Sequence, residues 1–201
     1  MNLFPPSFSK TFELTYETRG DNYLLKLIIP ENSKGIIYRV TAVLFAHGWD
    51  ILEANFEIIP NGKIHDLFYI RNLHGLVMND DSLKQIKRDL KELFEGGVAV
   101  SEYLERFELP PIPPPISQPT IQVFNPEKSD STVLDIRTQD RPGLLFEISQ
   151  LLFLLDIDIL SVTAQSDGGL IRDTFLLRQD SSRRLDTQTM DRIKNGLAAF
   201  L

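Results

Sequence analysis

The segment Asp140-Arg141-Pro142-Gly143-Leu144-Leu145 combines residue types that could bind a small zwitterion. A glycine at the start of a helix lets an anion approach main-chain N–H groups, and the helix dipole favours negative charge there. Asp140 can accept hydrogen bonds from an ammonium group. In the competing interpretation the segment only starts a helix, with Asp140 capping free N–H groups and Pro142 fitting the first turn. The residues by themselves leave both interpretations open.

A weaker version of this segment occurs earlier in the chain, at Asn32-Ser33-Lys34-Gly35. It keeps the glycine and a polar residue but lacks the Asp and the Pro, so its competence to bind a ligand is less certain. Asp50 and Asp158 each begin the strand that follows one of the two helices. Either could face a ligand across a domain boundary or cap a turn.

These pairs of residues belong to an internal repeat that is visible in two collinear blocks. The last helix of each copy has the same apolar spacing of 3, 4 and 3 residues. Chance could produce one matching block, but it is a poor explanation for two matching blocks in the same order. Duplication is the better explanation. At an offset of 108, Gly143 matches Gly35, Phe153 matches Phe45 and Asp158 matches Asp50; at an offset of 107, Asp173 matches Asp66 and Phe175 matches Phe68.

Periodicity and turn residues predict the same elements in both copies. The first copy is expected to have strands at 12–18 and 24–29, a helix at 35–47, strands near 52–58 and 66–71, and a helix near 81–95. The second copy repeats this order from 121 to 201. This is a ferredoxin-like α+β unit with its last strand moved to the front. We therefore predict two circularly permuted ββαββα units, each with helices on one face of an antiparallel sheet.

A proline-rich run separates the two copies. Six of the twelve prolines lie in the segment from Pro110 to Pro119, where missing N–H groups and fixed φ angles exclude a helix or a central strand. The predicted organisation is a first unit at residues 12–95, a linker at 96–120 that contains the proline-rich run, and a second unit at 121–201.

Composition excludes several classes of function. The chain has no cysteine and a formal charge of −7, so a thiolate site is impossible and a nucleic-acid or anionic-membrane partner is disfavoured. Neither a secretory signal nor a spanning helix is found, which predicts a cytoplasmic protein. The histidines, His47, His65 and His74, lack the spacing of a metal site, and no phosphate-binding glycine loop or nucleophile motif is present. We predict no cofactor and no metal.

The second copy resembles an ACT domain, a small regulatory fold that senses amino acids, through DRPGLL, the following helix, DIDILSVTA and RDTFLL. Both copies together look like the C-terminal ACT pair of the bifunctional PII uridylyltransferase/uridylyl-removing enzymes, which sense glutamine. The resemblance spans residues 12–201 and implies an amino-acid site between neighbouring units. Carried over by position, it implies ligand contacts at Asp140, Arg141, Gly143, Leu144 and Asp158, and at their first-copy equivalents Asn32, Gly35 and Asp50.

The chain starts about ten residues before the first unit, so we expect neither the nucleotidyltransferase core nor the phosphohydrolase domain of those enzymes. The predicted function is a non-catalytic regulatory protein that binds a small amino acid, with glutamine favoured. The alternative is a protein-interaction scaffold, or a regulatory subunit of a separate enzyme, in which the ligand site has decayed. A protein partner or a homodimer is compatible with both.

Overall fold

Each copy of the repeat folds as a ββαββα unit. The computed structural model describes residues 12–30, 34–58, 64–114, 117–167, 169–179 and 184–201. The first unit consists of β1 (Glu13–Arg19), β2 (Asn22–Ile29), α1 (Ile36–Ala46), β3 (Trp49–Ile58), β4 (Ile64–Asn72) and α2 (Asp80–Phe94). A short helix, α3 (Val100–Leu104), precedes the second unit: β5 (Thr120–Phe124), β6 (Thr132–Gln139), α4 (Leu144–Leu154), β7 (Asp158–Asp167), β8 (Leu170–Arg178) and α5 (Thr187–Ala198). The predicted α+β class is confirmed.

All eight strands form one antiparallel sheet in the order β1-β2-β4-β3-β7-β8-β6-β5. The first strand of each unit pairs with the second and lies at the outer edge of the sheet. That edge is where an unpermuted ferredoxin-like unit places its last strand, so the predicted permutation is confirmed. Alternation fixes the buried face: in β2, every second residue from Tyr23 to Ile29 is buried.

The two units are joined at the centre of the sheet by pairing of β3 with β7. Asn55 of β3 lies opposite Thr163 of β7, and these residues occupy equivalent positions of the repeat. In the helix layer Thr41 and Ser149, which are also equivalent, are hydrogen-bonded at 3.0 Å between their hydroxyl oxygens. Both contacts mark one approximate two-fold axis. The two units therefore form a pseudo-dimer within a single chain.

Helices α1 and α4 pack against each other across this axis through a row of stacked rings. Phe45 stacks on Phe146, Phe146 on Tyr38, and Tyr38 on Phe153, with ring centroids 5.0 to 5.9 Å apart. Stacked pairs add about 0.5–1.5 kcal/mol each to the burial of apolar area. The row merges the apolar layers of both units into one hydrophobic core.

The interval assigned to the linker contains a helix that the sequence analysis did not predict. Helix α3 is anchored by Tyr103, which is buried and donates its hydroxyl to Asp89 of α2 at 2.9 Å. The ring nitrogen of His47 lies 2.8 Å from the same carboxylate. Beyond this helix, residues 108–114 adopt neither helix nor strand, as the prolines require. Across the part of the chain that is described, no helix is both long and apolar enough to cross a membrane.

Candidate ligand-binding site

A cleft opens where the start of α4 in the second unit meets the start of β3 in the first unit. We call it the Gly143 cleft; Asp50, Asp140, Gly143, Leu144, Ala164 and Asp173 are among the residues that line it. The structure thus brings together five of the predicted site residues: Asp50 from the first unit and, from the second, Asp140, Arg141, Gly143 and Leu144. The cleft holds about 420 Å³ of empty space, including space open to solvent, of which only about 20 Å³ admits the centre of a water molecule. An amino acid could enter only if side chains in the wall moved.

Gly143 is the N-cap residue of α4 and adopts a left-handed conformation, with φ of 79°. A Cβ at this position would lie 2.8 Å from a ring carbon of Phe45, which belongs to the first unit. Glycine is therefore required by both its φ angle and this close approach. In the capping interpretation Asp140 caps the helix, but Gly143 is the N-cap residue. A glycine has no side chain to cap with, and no side chain among the described residues caps this helix start. The ring of Phe45 covers Gly143, and the N–H of Leu144 donates to the main-chain oxygen of Arg141 at 3.3 Å.

Asp50 contributes a buried carboxylate from the first unit. Two nitrogens of Arg71 donate to its Oδ2 at 3.0 and 3.2 Å. Burial raises the pKa of Asp50, the Arg71 hydrogen bonds oppose this shift, and the nearby charge of Asp140 adds to it. Asp140 is tied to the hairpin of β7 and β8 because its main-chain N–H donates to Gly169 at 2.9 Å. Two carboxylates from different units therefore face the same space.

Asp173 of β8 is a third carboxyl group in the cleft, and the sequence analysis did not assign it to the site. It is 3% exposed, and its Oδ1 has no hydrogen-bond partner in the described part of the chain. Burial raises the pKa of Asp173 to about 7, and the charge of Asp140 contributes in the same direction. A signal was present in the sequence: Asp173 occupies an inward position in the alternation that includes Ile171 and Phe175.

Arg141 and Leu144 were both predicted to contact the ligand, and both line the cleft. The guanidinium of Arg141 is already engaged elsewhere. It forms an ion pair with Glu147 and donates to the main-chain oxygen of Phe200 at 3.1 Å. This side chain therefore fixes the start of α4 and the end of the chain, while Leu144 contributes an apolar wall.

The equivalent region of the first unit, which we call the Gly35 cleft, is built around Gly35, Lys34, Arg39, Phe153 and Asp158. Gly35 has φ of 82°, and a Cβ there would lie 2.6 Å from Phe153 and 2.8 Å from a guanidinium nitrogen of Arg39. Arg39 is buried and donates to the main-chain oxygen of Lys34 at 3.0 Å. Asp158 accepts from Arg178 at 3.3 Å, and burial raises its pKa while Arg178 opposes the shift. The predicted residue Asn32 lies outside the described residues.

Asp66 is the counterpart of Asp173 beneath the first unit's helices. It is fully buried, and neither carboxyl oxygen has a partner in the described part of the chain. Burial raises the pKa of Asp66 well above its ordinary value. Asp66 lies in β4 opposite Phe56 of β3, whereas Asp173 lies in β8 opposite the small Ala164 of β7. The larger ring leaves the first carboxyl sealed in the core.

The described residues contain no group of three or more His, Asp or Glu side chains that could hold a metal ion. His47 is instead part of a buried network with Asp89 and Tyr103. This network joins α1, α2 and α3 and has no contact with either cleft among its hydrogen bonds.

No family model matches the chain. It is 22% identical to the bifunctional uridylyltransferase/uridylyl-removing enzyme of Rhodospirillum rubrum, covering 76% of this chain and 17% of that protein. The corresponding enzyme of Cereibacter sphaeroides is 26% identical, over 72% of this chain and 16% of that protein. The ACT domain-containing protein ACR10 of Arabidopsis thaliana is 24% identical, over 90% of this chain and 50% of that protein. The chain thus spans less than a fifth of the uridylyltransferase relatives. The crystal structure of an aspartate kinase from Synechocystis has a TM-score of 0.44 to this chain at 15% identity, covering 87% of this chain and 26% of that one.

Proposed function

We propose that this chain, which is similar to an ACT domain-containing protein and to part of the bifunctional uridylyltransferase/uridylyl-removing enzymes, is a non-catalytic tandem ACT-domain protein that binds an amino acid in the Gly143 cleft. The observation that carries the proposal is that a helix start with no side-chain cap among the described residues meets carboxylates of both units. Glutamine is the ligand we favour, as the resemblance implies. Its side-chain amide also offers N–H donors to an acidic cleft.

In this proposal the ligand carboxylate lies at the main-chain N–H groups of the α4 start, next to Gly143. The ligand ammonium lies between Asp140 and Asp50. Since these two carboxylates come from different units, an occupied cleft would hold the units in one relative position. That difference between the free and bound states is what a regulatory domain requires.

The tightness of the cleft supports a second candidate, a scaffold that docks on a protein partner without a ligand. The volume that the centre of a water molecule can reach is only about 20 Å³, so the cleft admits an amino acid only after its wall side chains move. Phe45, which packs against Gly143, is the side chain that must turn.

Calorimetric titration of the full chain with each of the twenty amino acids tests the proposal. We expect saturable binding of one or a few of them, with glutamine among them. Asp140→Asn should weaken that binding by about 1–3 kcal/mol, the loss of a charge-assisted hydrogen bond. Asp158→Asn, which alters the equivalent of Asp50 in the Gly35 cleft, is the comparison: unchanged binding assigns the ligand to the Gly143 cleft, and weaker binding assigns it to the Gly35 cleft. If none of the twenty binds, the scaffold is the better account.

A further inference from the structure

The carboxyl group of Asp173 is buried at the floor of the Gly143 cleft without full hydrogen bonding. On the sheet it lies between Ile136 of β6 and Ala164 of β7, facing the helix layer. A hydrogen bond from the main-chain N–H of Gln165 acts on it, but Oδ1 has no partner among the described residues. A buried, unpaired polar atom is costly, and its presence in a folded protein calls for an explanation.

The charged groups around Asp173 do not satisfy it. Asp140 from the loop before α4 and Asp50 from β3 are both acidic. Arg71 is bound to Asp50, and the guanidinium of Arg141 is bound to Glu147 and Phe200. None of the ion pairs in the described ranges includes Asp173. Oδ1 is therefore without a partner among the described residues in either protonation state: as part of a carboxylate it lacks a donor, and in the neutral acid it lacks either a donor or, if it carries the proton, an acceptor.

A ligand in the cleft is the group that could supply this donor. Resting on the function proposed above, we propose that Asp173 accepts a hydrogen bond from an N–H group in the side chain of the bound amino acid. Asp173 would then select a ligand class, amino acids whose side chains carry an N–H donor. An acidic side chain of the same length would bring a third acceptor to the floor and a further negative charge to a cleft already lined by carboxylates.

L-Glutamine and L-glutamate are suitable probes because they differ only in the side-chain amide. We expect the wild-type chain to bind L-glutamine at least tenfold more tightly than L-glutamate in calorimetric titrations at pH 7.5. Asp173→Asn should weaken binding of L-glutamine at least fivefold and reduce the preference to threefold or less, because an amide no longer repels the carboxylate. Circular dichroism checks that the variant is folded.

Asp66→Asn is the matched control, because it makes the same change at the equivalent position of the repeat. Asp66 is sealed opposite Phe56, so this variant should bind both probes within twofold of the wild-type chain. A loss of preference in both variants would assign the effect to the core rather than to the cleft, and would overturn the proposal.

The pH dependence of the wild-type chain gives a readout that needs no substitution. Because burial raises the pKa of Asp173 to about 7, the carboxyl must lose its proton to act as a full acceptor. Affinity for L-glutamine should therefore rise up to about tenfold between pH 6 and pH 8, with release of a proton on binding. Asp50, held by Arg71, and Asp140 face the same space, so the profile of Asp173→Asn is the comparison; it should be flat.

Three results would overturn the assignment. Unchanged affinities and preference in Asp173→Asn would remove Asp173 from the site while leaving amino-acid binding intact. Affinity that falls as the pH rises would show a neutral acid donating to the ligand instead of an acceptor. No binding of either probe, or tighter binding of L-glutamate, by the wild-type chain would exclude this selection, and failure to bind any amino acid would also remove the proposed function.

Discussion

The Gly143 cleft and the Gly35 cleft have the same main-chain conformation at the helix start but different side chains around it. Both start a helix with a glycine near φ of 80°, and in both the glycine lies under a phenylalanine of the other unit. Both also place an aspartate with an arginine partner at the start of the following strand. Two-fold repetition of the chain therefore accounts for the frame of the site and for its position between the units.

Three of the positions that differ between the two clefts lie among the described residues of both units. Pro142 of the second unit is replaced by Lys34, which is bound to Asp156, and Glu147 is replaced by Arg39, which packs over a ring. Ala164 is replaced by Phe56, so the floor carboxyl of the first unit is sealed. A repeated fold can thus leave empty space beside one helix start while larger side chains stand at the equivalent positions of its copy.

Replacing the sealing ring should have the largest effect on stability. Phe56→Ala removes a ring that is buried and packed edge-on against Phe68, with centroids 5.0 Å apart. We expect a loss of about 3–5 kcal/mol in the free energy of unfolding, measured by urea denaturation. The variant also places an alanine opposite Asp66, as Ala164 lies opposite Asp173 in the second unit. A loss below 1 kcal/mol would show that Phe56 is not what separates the two clefts.

The buried carboxyl groups of Asp173 and Asp66 should both make the free energy of unfolding fall as the pH rises. The pKa of Asp173 is about 7 in the folded chain, above the ordinary value of 3.8, so the folded state holds a proton that the unfolded state has lost. The resulting cost is absent below pH 4 and complete above pH 7. Asp173→Asn should therefore gain stability relative to wild type as the pH rises from 4 to 8, by at most about 4 kcal/mol.

Asp66→Asn should gain in the same direction, because burial also raises the pKa of Asp66. Urea denaturation at pH 4, 6 and 8 measures both variants. If the stability difference between variant and wild type is constant with pH, the carboxyl in question is not desolvated as the structure describes.

Much of this fold followed from the sequence, because local periodicity and the repeat constrain each other. Helix α1 was expected at 35–47 and is found at Ile36–Ala46. The permuted strand order followed from the extra strand that the sequence predicts at the front of each copy, which the structure places at the edge of the sheet. The sequence analysis grouped Asp158 with Asp140 and Gly143, whereas the structure places Asp50 of the first unit beside them.

What the sequence did not predict depends on packing between distant segments. Alternation in β8 places Asp173 on the inward face, but its place in the cleft depends on Ala164 in the neighbouring strand. Helix α3 is too short for a periodic signal, and its Tyr103 is held by Asp89, fourteen residues earlier. The pairing of β3 with β7 joins segments about 110 residues apart.

Helix α3 is a further difference between the units, because it packs on the first one. Tyr103→Phe removes the hydroxyl that donates to Asp89 but keeps the buried ring. Asp89 retains hydrogen bonds from His47 and Gln85, so we expect a loss of only about 1–2 kcal/mol in unfolding free energy. Glutamine binding should be unchanged, because the network lies away from the Gly143 cleft. A change in binding would couple α3 to the site.

The smallest effect is expected at the ion pair of the Gly35 cleft. Lys34 Nζ lies 2.7 Å from Oδ1 of Asp156, but the two side chains are 30% and 72% exposed. Such pairs contribute about 0–1 kcal/mol, and salt screens them. Lys34→Ala should therefore lower the unfolding free energy by less than 1 kcal/mol, and by less still at high salt.

Asp156→Gly removes the same ion pair and gives the opposite net result, which makes it the sharper variant. Asp156 has φ of 64°, and its counterpart in the first unit is Gly48, with φ of 71°. Glycine relieves a left-handed conformation that costs a side chain on the order of 1 kcal/mol, and it keeps the main-chain oxygen that also accepts from Lys34. Urea denaturation should therefore find Asp156→Gly more stable than Lys34→Ala by about 1 kcal/mol. If both variants lose 2 kcal/mol or more, the ion pair rather than Phe56 and Arg39 keeps the first cleft closed.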